Sequence, residues 1–469
     1  MITNIESIKL ALEKLNGQLK EKNIEGSLTY RGEVSHLIRA GRSQVSLNVS
    51  EQNDTLFVEL FKGKKKIEGS MSIQLENGTE AALEFVEKLY ASIDFLPEVP
   101  HMRPMGPVAE EGNLSVHKCD DEIVNFEASR VVSFFKDLAH KFSKYSVDVS
   151  GAFSAGANAY CVVNTLSTHA HYFLGSDWNI EVVLQLVNDD KKEIRSHKMG
   201  ETMKEFNEKE IIDELMMFLN IKKETPRLNV EAGPYDVIFS SDALAEMVNY
   251  TSWLTFSGES FEYEAGMLKK GLHKIGSKIF GDNVTIVDNP NDPDILYSRQ
   301  VGLNGVKRDY FPLINEGVIQ NLFYSDKDTC DRFNMEVNND MSVAQIKVMG
   351  GDGPSDLMEI VKSTKERTLY IGYIHYMNIT NAAKGEFTGS SRFGTLLIED
   401  GQIKGHLYNL RLNDSYFNIF NNIEWFSKEL THVNTATTYG HRMSSSITCP
   451  KFTKVHNVQI TGTAKISEE

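Results

Sequence analysis

The sequence predicts an α+β protein built in two parts, and three observations support this. Apolar residues recur at helical spacing over residues 5–22. Residues 27–75 then change to short runs in which apolar and polar residues alternate, a pattern typical of half-buried strands. From residue 234 onward, short strand-like runs separated by turns dominate. We therefore expect an N-terminal α/β domain with a strand meander and flanking helices, followed by a strand-rich, barrel-like α+β domain.

The N-terminal half is expected to alternate helices with strands. Within the meander, turns are predicted at Gly32, Asn53–Asp54 and Gly63. Helices are predicted over 79–94 (with Thr79 as the cap), 121–144 and 207–220. The strand-like stretches between the last two helices are 145–154, 157–167 and 179–187, and the first two are joined through Ser154–Ala157.

Two changes in composition divide the chain. Residues 96–114 hold four prolines and two glycines, which predicts a linker or a long surface loop. Residues 224–242 contain two further prolines and then an apolar strand, which indicates that a new unit begins there. We therefore expect an N-terminal domain over 1–225 and a C-terminal domain over 226–469.

In the second domain, the apolar strand at 235–239 leads into a predicted helix over 240–256. A second helix is predicted over 420–430, before the terminal strands. These two helices frame most of the motifs discussed below.

Charge excludes one class of partner. The chain has 49 basic and 65 acidic residues, a net charge of -16, which repels phosphate backbones and anionic lipid. Direct binding to nucleic acid or to a membrane is therefore not expected. The densest basic run, Lys62–Lys66, is interpreted as a charged hairpin turn rather than a binding patch.

Cysteine usage and the N-terminus indicate the cytoplasm. The first residues form an amphipathic helix and lack the basic start and apolar block of a signal peptide. No apolar run is long enough to span a membrane. The four cysteines form no CxxC pair, which fits a reducing compartment.

No complete catalytic or metal motif is found. No His is followed by Glu, so the zinc-binding HExxH pattern is absent. His169 and His171 would lie on one face of a strand, a spacing that can serve a metal, although a surface or core pair is more common. A C-terminal group offers thiolate and imidazole ligands, although its spacing matches no local site; its members are His432, His441, Cys449 and His456.

A series of segments in the second half resembles a known family. The segments are PYDVIFSSDALAEM (234–247), SKIFGDNVTIVDNP (277–290), NGVKRDYFPLINEGVIQNLFYSDKDTCDRF (304–333), FTGSSRFGTLLIEDGQIKGHLYNLRLN (387–413) and SITCPKFTKVHNVQITG (446–462). Their order resembles the TldD/PmbA family, also called modulators of DNA gyrase. The closer resemblance is to the TldE/PmbA-type chains, which lack a zinc motif.

The resemblance implies a subunit of a two-subunit zinc metallopeptidase that acts on flexible peptides. In TldD-type chains, the helix after the first strand of the C-terminal domain carries His-Glu, three residues and then His, and a Cys near the end completes the zinc site. TldE-type chains pair with such a subunit. The resemblance therefore implies no cofactor in this chain and a zinc ion in a partner.

The helix over 240–256 is where the zinc motif would lie. The resemblance places Asn249, Tyr250 and Leu254 at the positions of the two His and the Glu. Amide, phenol and hydrocarbon side chains do not replace imidazole and carboxylate around zinc. Glu246, one turn earlier, is a weak candidate for a general base, and the more common role for such a residue is a solvated helix Glu. Cys449 falls near the terminal Cys of the family.

A glycine-containing stretch is the candidate wall of the substrate cavity. Its members are Thr388, Gly389, Ser390 and Arg392. Small residues let a peptide backbone approach closely, and an arginine can hold a carboxylate. The alternative is a tight turn between two strands, which the composition favours.

Three functions remain open from the sequence. The first is a cytoplasmic TldE/PmbA-like subunit that shapes the substrate cavity of a zinc peptidase, in a heterodimer with a TldD-like chain. The second is a homodimeric peptide-binding protein without hydrolysis. The third is an unconventional metallopeptidase that uses Cys449 with His432, His441 or His456. Any effect on DNA gyrase is expected to be indirect, through degradation of a protein.

Overall fold

Three β-sheets organise the described residues, which in the computed structural model are 4–109, 112–187, 189–435 and 445–463. The prediction of an α+β protein with an N-terminal α/β unit and a strand-rich C-terminal unit is confirmed. The seven-stranded sheet is drawn from residues 25–200, and the six- and nine-stranded sheets are drawn from residues 233–463.

The N-terminal elements follow in chain order. They are α1 (Ile5–Glu21), β1 (Glu25–Gly41), β2 (Gln44–Lys62), β3 (Lys65–Ser72), α2 (Glu80–Ser92), β4 (Val116–Lys118), α3 (Asp121–Val124), α4 (Ser129–Ser143), β5 (Val147–Asn164), β6 (His171–Leu186), β7 (Asp189–Gly200) and α5 (Glu208–Glu224). The sheet order is β3-β2-β1-β5-β6-β4, and β7 pairs with a later part of β6 on the edge opposite β5.

The C-terminal elements are shorter. They are β8 (Gly233–Ser240), α6 (Ser241–Thr251), α7 (Gly258–Glu262), β9 (Ile286–Asp288), β10 (Phe311–Asn315), β11 (Val318–Ile319), α8 (Lys327–Phe333), β12 (Ile346–Val348), α9 (Leu357–Ser363), β13 (Thr368–Ile371), β14 (Ile374–Asn381), β15 (Glu386–Ser391), β16 (Leu396–Glu399), β17 (Gln402–His406), β18 (Leu410–Ser415), α10 (Tyr416–Asn421), β19 (Ile423–Phe426), β20 (Leu430–Asn434), β21 (Ser446–Pro450) and β22 (Phe452–Thr463). A single π-helical turn, Ser252–Phe256, extends α6.

The C-terminal sheets are open, so the barrel-like closure expected from the sequence is wrong for the described residues. The nine-stranded sheet has the order β14-β15-β18-β22-β8-β13-β16-β17, with β19 also on β22. The six-stranded sheet has the order β11-β10-β9-β12-β21-β20. Each path has two distinct end strands, and β14 is one edge of the larger sheet.

The first hairpin is longer than expected, because Gly32 and Asn53–Asp54 lie within strands rather than at turns. Gly32 pairs with Asp54 across β1 and β2. Asp54 accepts a hydrogen bond from the Tyr30 hydroxyl, and Asn53 donates to Glu33 at 2.7 Å. Polar residues typical of turns are therefore satisfied across the strands. The turn at Gly63 is confirmed, and the basic run around it forms the tip of the β2–β3 hairpin.

Three other predicted elements differ from the structure. Residues Ser154–Ala157 lie inside the continuous strand β5, paired on both sides, so the predicted division into two strands joined at this point is wrong. The predicted helix over 121–144 is broken between α3 and α4. The predicted helix over 420–430 is also wrong, since α10 ends at Asn421 and β19 then pairs with β22.

The two parts of the chain share buried contacts. One apolar cluster joins Phe153 and Phe218 of the first part to Tyr370 and Phe452 of the second. The proline-containing stretch also lies on the C-terminal half, where the backbone N–H of Ala109 donates to the Gly305 carbonyl at 2.9 Å. Among the described residues, no helix has the length and apolarity needed to cross a membrane.

Candidate functional site

Helix α6 is the element around which the candidate site is built. Ser240 is the last residue of β8. Its hydroxyl accepts a hydrogen bond from the Ala243 N–H at 3.3 Å and donates one to the Gly372 carbonyl at 2.6 Å. This cap fixes the first turn of the helix against the loop before β14. One face of α6 is buried, and the other is only partly covered; the partly covered residues are Asp242, Glu246, Asn249 and Tyr250.

The three positions of the expected zinc motif serve other contacts. Leu254 is 7% exposed and packs in the C-terminal core. The Tyr250 hydroxyl donates to the Met377 carbonyl of β14 at 2.9 Å, and its ring stacks on Trp253. Asn249 lies partly exposed on the same face. These residues do not fit a zinc ion, because zinc in proteins takes imidazole, thiolate or carboxylate ligands.

Replacement of Tyr250 by Phe tests the contact between α6 and the edge strand. The change removes one partly buried hydrogen bond and keeps the ring, so we expect the free energy of unfolding to fall by about 0.5–1.5 kcal/mol. Urea denaturation followed by circular dichroism measures it. Tyr376→Phe on β14, whose ring is 75% exposed, is the control and should change stability by less than about 0.5 kcal/mol. Equal effects of the two changes would contradict the assigned contact.

Cys449 lies apart from these positions. Its Sγ donates to the Ser241 carbonyl at 3.6 Å, at the start of α6. Asn249 lies eight residues further along the helix, about 12 Å away along the axis. Burial, with the nearby Asp242 carboxylate, raises the pKa of the Cys449 thiol, so the thiol stays protonated. Cys449 therefore does not complete a metal site with this helix.

The histidines proposed as ligands are also separated. His432 Nδ1 lies 3.0 Å from Thr448 Oγ1, and burial lowers its pKa. His456 lies between two carboxylates, with Nδ1 2.9 Å from Asp236 and Nε2 3.0 Å from Glu424. His441 lies outside the described residues.

The expected histidine pair on one strand face is not formed. His171 opens β6, whereas His169 lies in the preceding loop, and Nε2 of His171 lies 2.5 Å from the Ala109 carbonyl oxygen. In the part of the chain that the structure describes, no three His, Cys, Asp or Glu side chains are grouped to hold a metal.

Glu246 lies on the open face of α6, one turn beyond Asp242. Burial raises its pKa, and the Asp242 carboxylate adds to this while Arg195 opposes it. A carboxyl group in this position favours its neutral form more than one in water does. This property fits a group that exchanges protons, but among the described residues Glu246 belongs to no group of three His, Cys, Asp or Glu side chains that could hold a metal.

The candidate substrate stretch belongs to β15, so the alternative of a tight turn at 388–391 is wrong. Thr388 Oγ1 donates to the Leu412 carbonyl at 3.1 Å, and Ser390 Oγ accepts from Arg411 at 3.2 Å. A Cβ at Gly389 would lie 2.5 Å from Ile374 Cγ2, so the glycine allows the close approach of β14.

Arg392 does hold a carboxylate, but one from this chain. Its Nε and Nη2 contact the two carboxylate oxygens of Glu193 at 2.7 and 2.9 Å. Its Nη1 lies 3.4 Å from His375 Nδ1. This bidentate pair joins β7 to the end of β15. It engages the Arg392 guanidinium, which was predicted to bind a carboxylate of the substrate.

A charged network at the start of α6 was missed by sequence reasoning. Asp242 Oδ1 lies 2.8 Å from His197 Nδ1 and 3.2 Å from Arg195 Nη1. Arg195 also contacts Glu181 at 3.1 Å, and its guanidinium lies over the Tyr373 ring at 4.5 Å. Burial alone favours the neutral form of Asp242, but Arg195 and His197 outweigh it and hold its pKa well below the usual range.

Beside this network lies a cavity of about 500 Å³ between the two parts of the chain. Strand β7 and helix α5 form one side of it, and the start of α6 forms the floor. Residues after β13 and β15 and part of β20 form the other side. The partly covered face of α6 runs from this cavity towards the edge strand β14.

Comparison with known proteins supports the family and the fold. Residues 232–462 match the family model of the PmbA/TldA metallopeptidase C-terminal domain. An uncharacterised protein of Methanocaldococcus jannaschii is 28% identical over 158 residues, which are 32% of this chain; the chain spans 36% of that relative's length.

TldE from Thermococcus kodakarensis has a TM-score of 0.78 at 16% identity, covering 96% of this chain and 100% of TldE. A proposed modulator of a DNA gyrase from Thermotoga maritima has a TM-score of 0.74 at 15% identity, covering 96% and 99%. At such identities the structural likeness shows the fold.

Proposed function

We propose that this chain, whose residues 232–462 belong to the PmbA/TldD family, is a TldE-type subunit of a two-subunit metallopeptidase. It shapes the cavity that receives a flexible peptide, and a TldD-type partner carries the zinc. The observation that carries the proposal is helix α6, where Tyr250 and Leu254 are committed to packing. The fold likeness to TldE, across nearly the whole chain, supports it.

The open edge of β14 is the surface offered to the peptide. An edge strand presents unpaired backbone groups, to which an extended peptide adds as a further strand. The face of α6 with Glu246 and Asn249 lies next to this edge, since Tyr250 contacts Met377. A peptide added there would pass the helix on which the TldD-type chains carry their zinc motif.

Co-expression with a TldD-type chain tests the proposal. We expect the two chains to purify together, and a flexible fluorogenic peptide to be cleaved only when both are present. Cleavage should stop when a zinc-binding His of the partner is replaced, because the metal generates the attacking hydroxide. Full cleavage by the TldD-type chain alone would contradict the proposed role.

A homodimeric peptide-binding protein without hydrolysis is the second candidate, because it would use the same β14 edge. Stoichiometric peptide binding by this chain alone, without turnover, would favour it. Elemental analysis distinguishes the TldE-type subunit and the peptide-binding protein from a metallopeptidase based on Cys449. Such a metallopeptidase would hold close to one zinc per chain. Less than about a tenth of an equivalent excludes that third function, since zinc in such sites is held tightly.

The remaining parts of the proposal concern setting and organisation. Division into domains at 225 and 226 is supported by sheet membership, which changes between β7 and β8. A cytoplasmic location is supported by the four cysteines, all of which are free. Net charge -16 supports an indirect rather than a direct link to DNA.

A further inference from the structure

The cavity beside α6 has an aromatic wall. Six aromatic side chains line it: Trp178, Phe218, Tyr370, Tyr373, Phe393 and Phe452. The rings of Phe218 and Tyr370 stack at 6.1 Å, and Tyr370 lies 6.3 Å from Phe452. Aromatic faces are electron-rich, so such a wall attracts cations as well as apolar groups.

The protein already uses two of these rings to hold a cation. The guanidinium of Arg195 lies 4.5 Å from the centre of the Tyr373 ring and 5.8 Å from that of Phe393. This internal contact is the same type of contact that a bound guanidinium or ammonium group would make. It points to the class of ligand independently of the charge of the cavity.

The charge of the cavity is negative. Six carboxylates line it, namely Glu205, Glu210, Asp213, Glu214, Asp242 and Asp356. Three permanent cations face them, Arg195, Lys198 and Lys451, which leaves an excess of three negative charges (six minus three). An anionic ligand would therefore be repelled.

The cations of the cavity are already engaged with carboxylates. Lys198 contacts Glu210 and Glu214, both at 3.1 Å. Lys451 contacts Glu429 at 3.4 Å, outside the cavity lining. Burial lowers the pKa of His432, so this imidazole adds no charge near neutral pH. Glu210 and Asp213 at the rim pair with Lys198 at 3.1 Å and Lys209 at 2.5 Å, but exposed pairs of this kind contribute little, so a ligand cation can replace them at small cost.

We propose that this cavity binds an alkylammonium or alkylguanidinium group on an apolar stem. The stem packs against Tyr373 and Phe393, and the charged end meets Glu210 and Asp213 at the rim of α5, whose side chains are 56% and 59% exposed. A free diamine or guanidine and the Lys or Arg side chain of a peptide share this chemistry. The site goes beyond the proposed peptidase function, because it lies within this chain and needs no partner subunit.

The walls of the cavity come from both parts of the chain, so ligand binding should also change the thermal stability of the protein. Helix α5 belongs to the first part, whereas Tyr373 and Phe393 belong to the second. A ligand held by both parts binds the folded chain and not the unfolded one, so it raises the melting temperature.

Calorimetric titration of the purified full chain tests the site. Agmatine and cadaverine represent the free cations. N-acetyl-lysinamide, and a tripeptide in which lysine is flanked by two glycines, represent the peptide source. We expect saturable binding of the cations, a higher melting temperature and no binding of N-acetyl-leucinamide. Binding of the tripeptide but not of free agmatine and cadaverine would assign the site to peptides, and the reverse would assign it to small cations. Absence of binding by every cation, or equal binding of the leucine compound, would overturn the proposal.

Variants locate the binding. The double change Glu210→Gln and Asp213→Asn removes two exposed carboxylates from the rim, and we expect affinity to fall about fivefold. Glu224→Gln removes one negative charge from the exposed end of the same helix, outside the cavity, and should leave affinity unchanged. Equal affinity of the double variant and the wild type would overturn the site, and equal melting temperatures without ligand establish that both variants fold.

Discussion

Replacement of Arg308 by Met will lower the free energy of unfolding by about 3–5 kcal/mol, the usual cost of breaking a buried ion pair from one side. Arg308 and Asp288 are each 1% exposed, and Arg308 Nη2 contacts both Asp288 oxygens at 2.8 and 2.6 Å. The other guanidinium nitrogens donate to Asn339 Oδ1 at 2.9 Å and to the Arg299 carbonyl at 2.7 Å. Without Arg308, the Asp288 carboxylate stays buried without a cation.

Equilibrium urea denaturation measures this loss. Lys307→Met is the matched control, because Lys307 pairs with Asp309 near the surface and its removal should cost less than about 1 kcal/mol. The double change of Arg308 to Met and Asp288 to Leu should recover part of the stability, since no unpaired charge remains. A loss for Arg308→Met as small as that of the control would show that the pair contributes little.

Local pattern was enough to predict the elements that pack by one face. The helix over 5–22 was predicted from its apolar spacing, and α1 buries Ile8, Leu12 and Leu15 against the sheet. The lengths of strands were not predictable in this way. Asn53 and Asp54 are residue types typical of turns. They lie within a strand because their side chains form hydrogen bonds with Tyr30 and Glu33 on the neighbouring strand, and these partners are not evident from local sequence.

Tertiary pairing also overrode local pattern near the C-terminus. The stretch after Asn421 reads as a helix, but Trp425 pairs with Lys454 of β22 and extends the sheet instead. Helix propensity differs by less than about 1 kcal/mol between ordinary residues, so such pairing readily outweighs it. Local pattern could not predict whether the C-terminal sheets close into a barrel either, because closure depends on which edge strands pair with each other and not on the sequence of any single strand.

The candidate site was predictable in part. Helix α6 and the unusual residues at 249, 250 and 254 follow from the sequence and the family resemblance. The contacts of Arg195 and His197 did not, because β7 is a strongly polar strand with few apolar residues to reveal it. A usable signal was present in the two basic residues, Arg195 and His197, at alternating positions, which place them on one face of a strand. Their partner Asp242 lies 45 residues beyond His197, and no spacing rule connects them.

Replacement of Asp242 by Ala will lower the free energy of unfolding by about 3–5 kcal/mol near neutral pH. The change removes the carboxylate that joins α6 to β7, and the Arg195 side chain, 9% exposed, then keeps Glu181 and the Tyr373 ring but loses its contact with Asp242. Asp213→Ala on α5 is the control, because that carboxylate is 59% exposed and should matter by less than about 1 kcal/mol. Urea denaturation at pH 7 compares the two variants.

The pH dependence of that difference tests its electrostatic origin. The neighbours Arg195 and His197 hold the pKa of Asp242 below its usual range. Its contribution is therefore complete above the unfolded pKa of about 3.9 and is lost as the pH falls towards the lower folded value. Wild type and Asp242→Ala should thus differ most at pH 7 and converge below about pH 4. A difference that stays the same at pH 3 would mean that Asp242 acts through packing, and the junction between the two parts would then not depend on its charge.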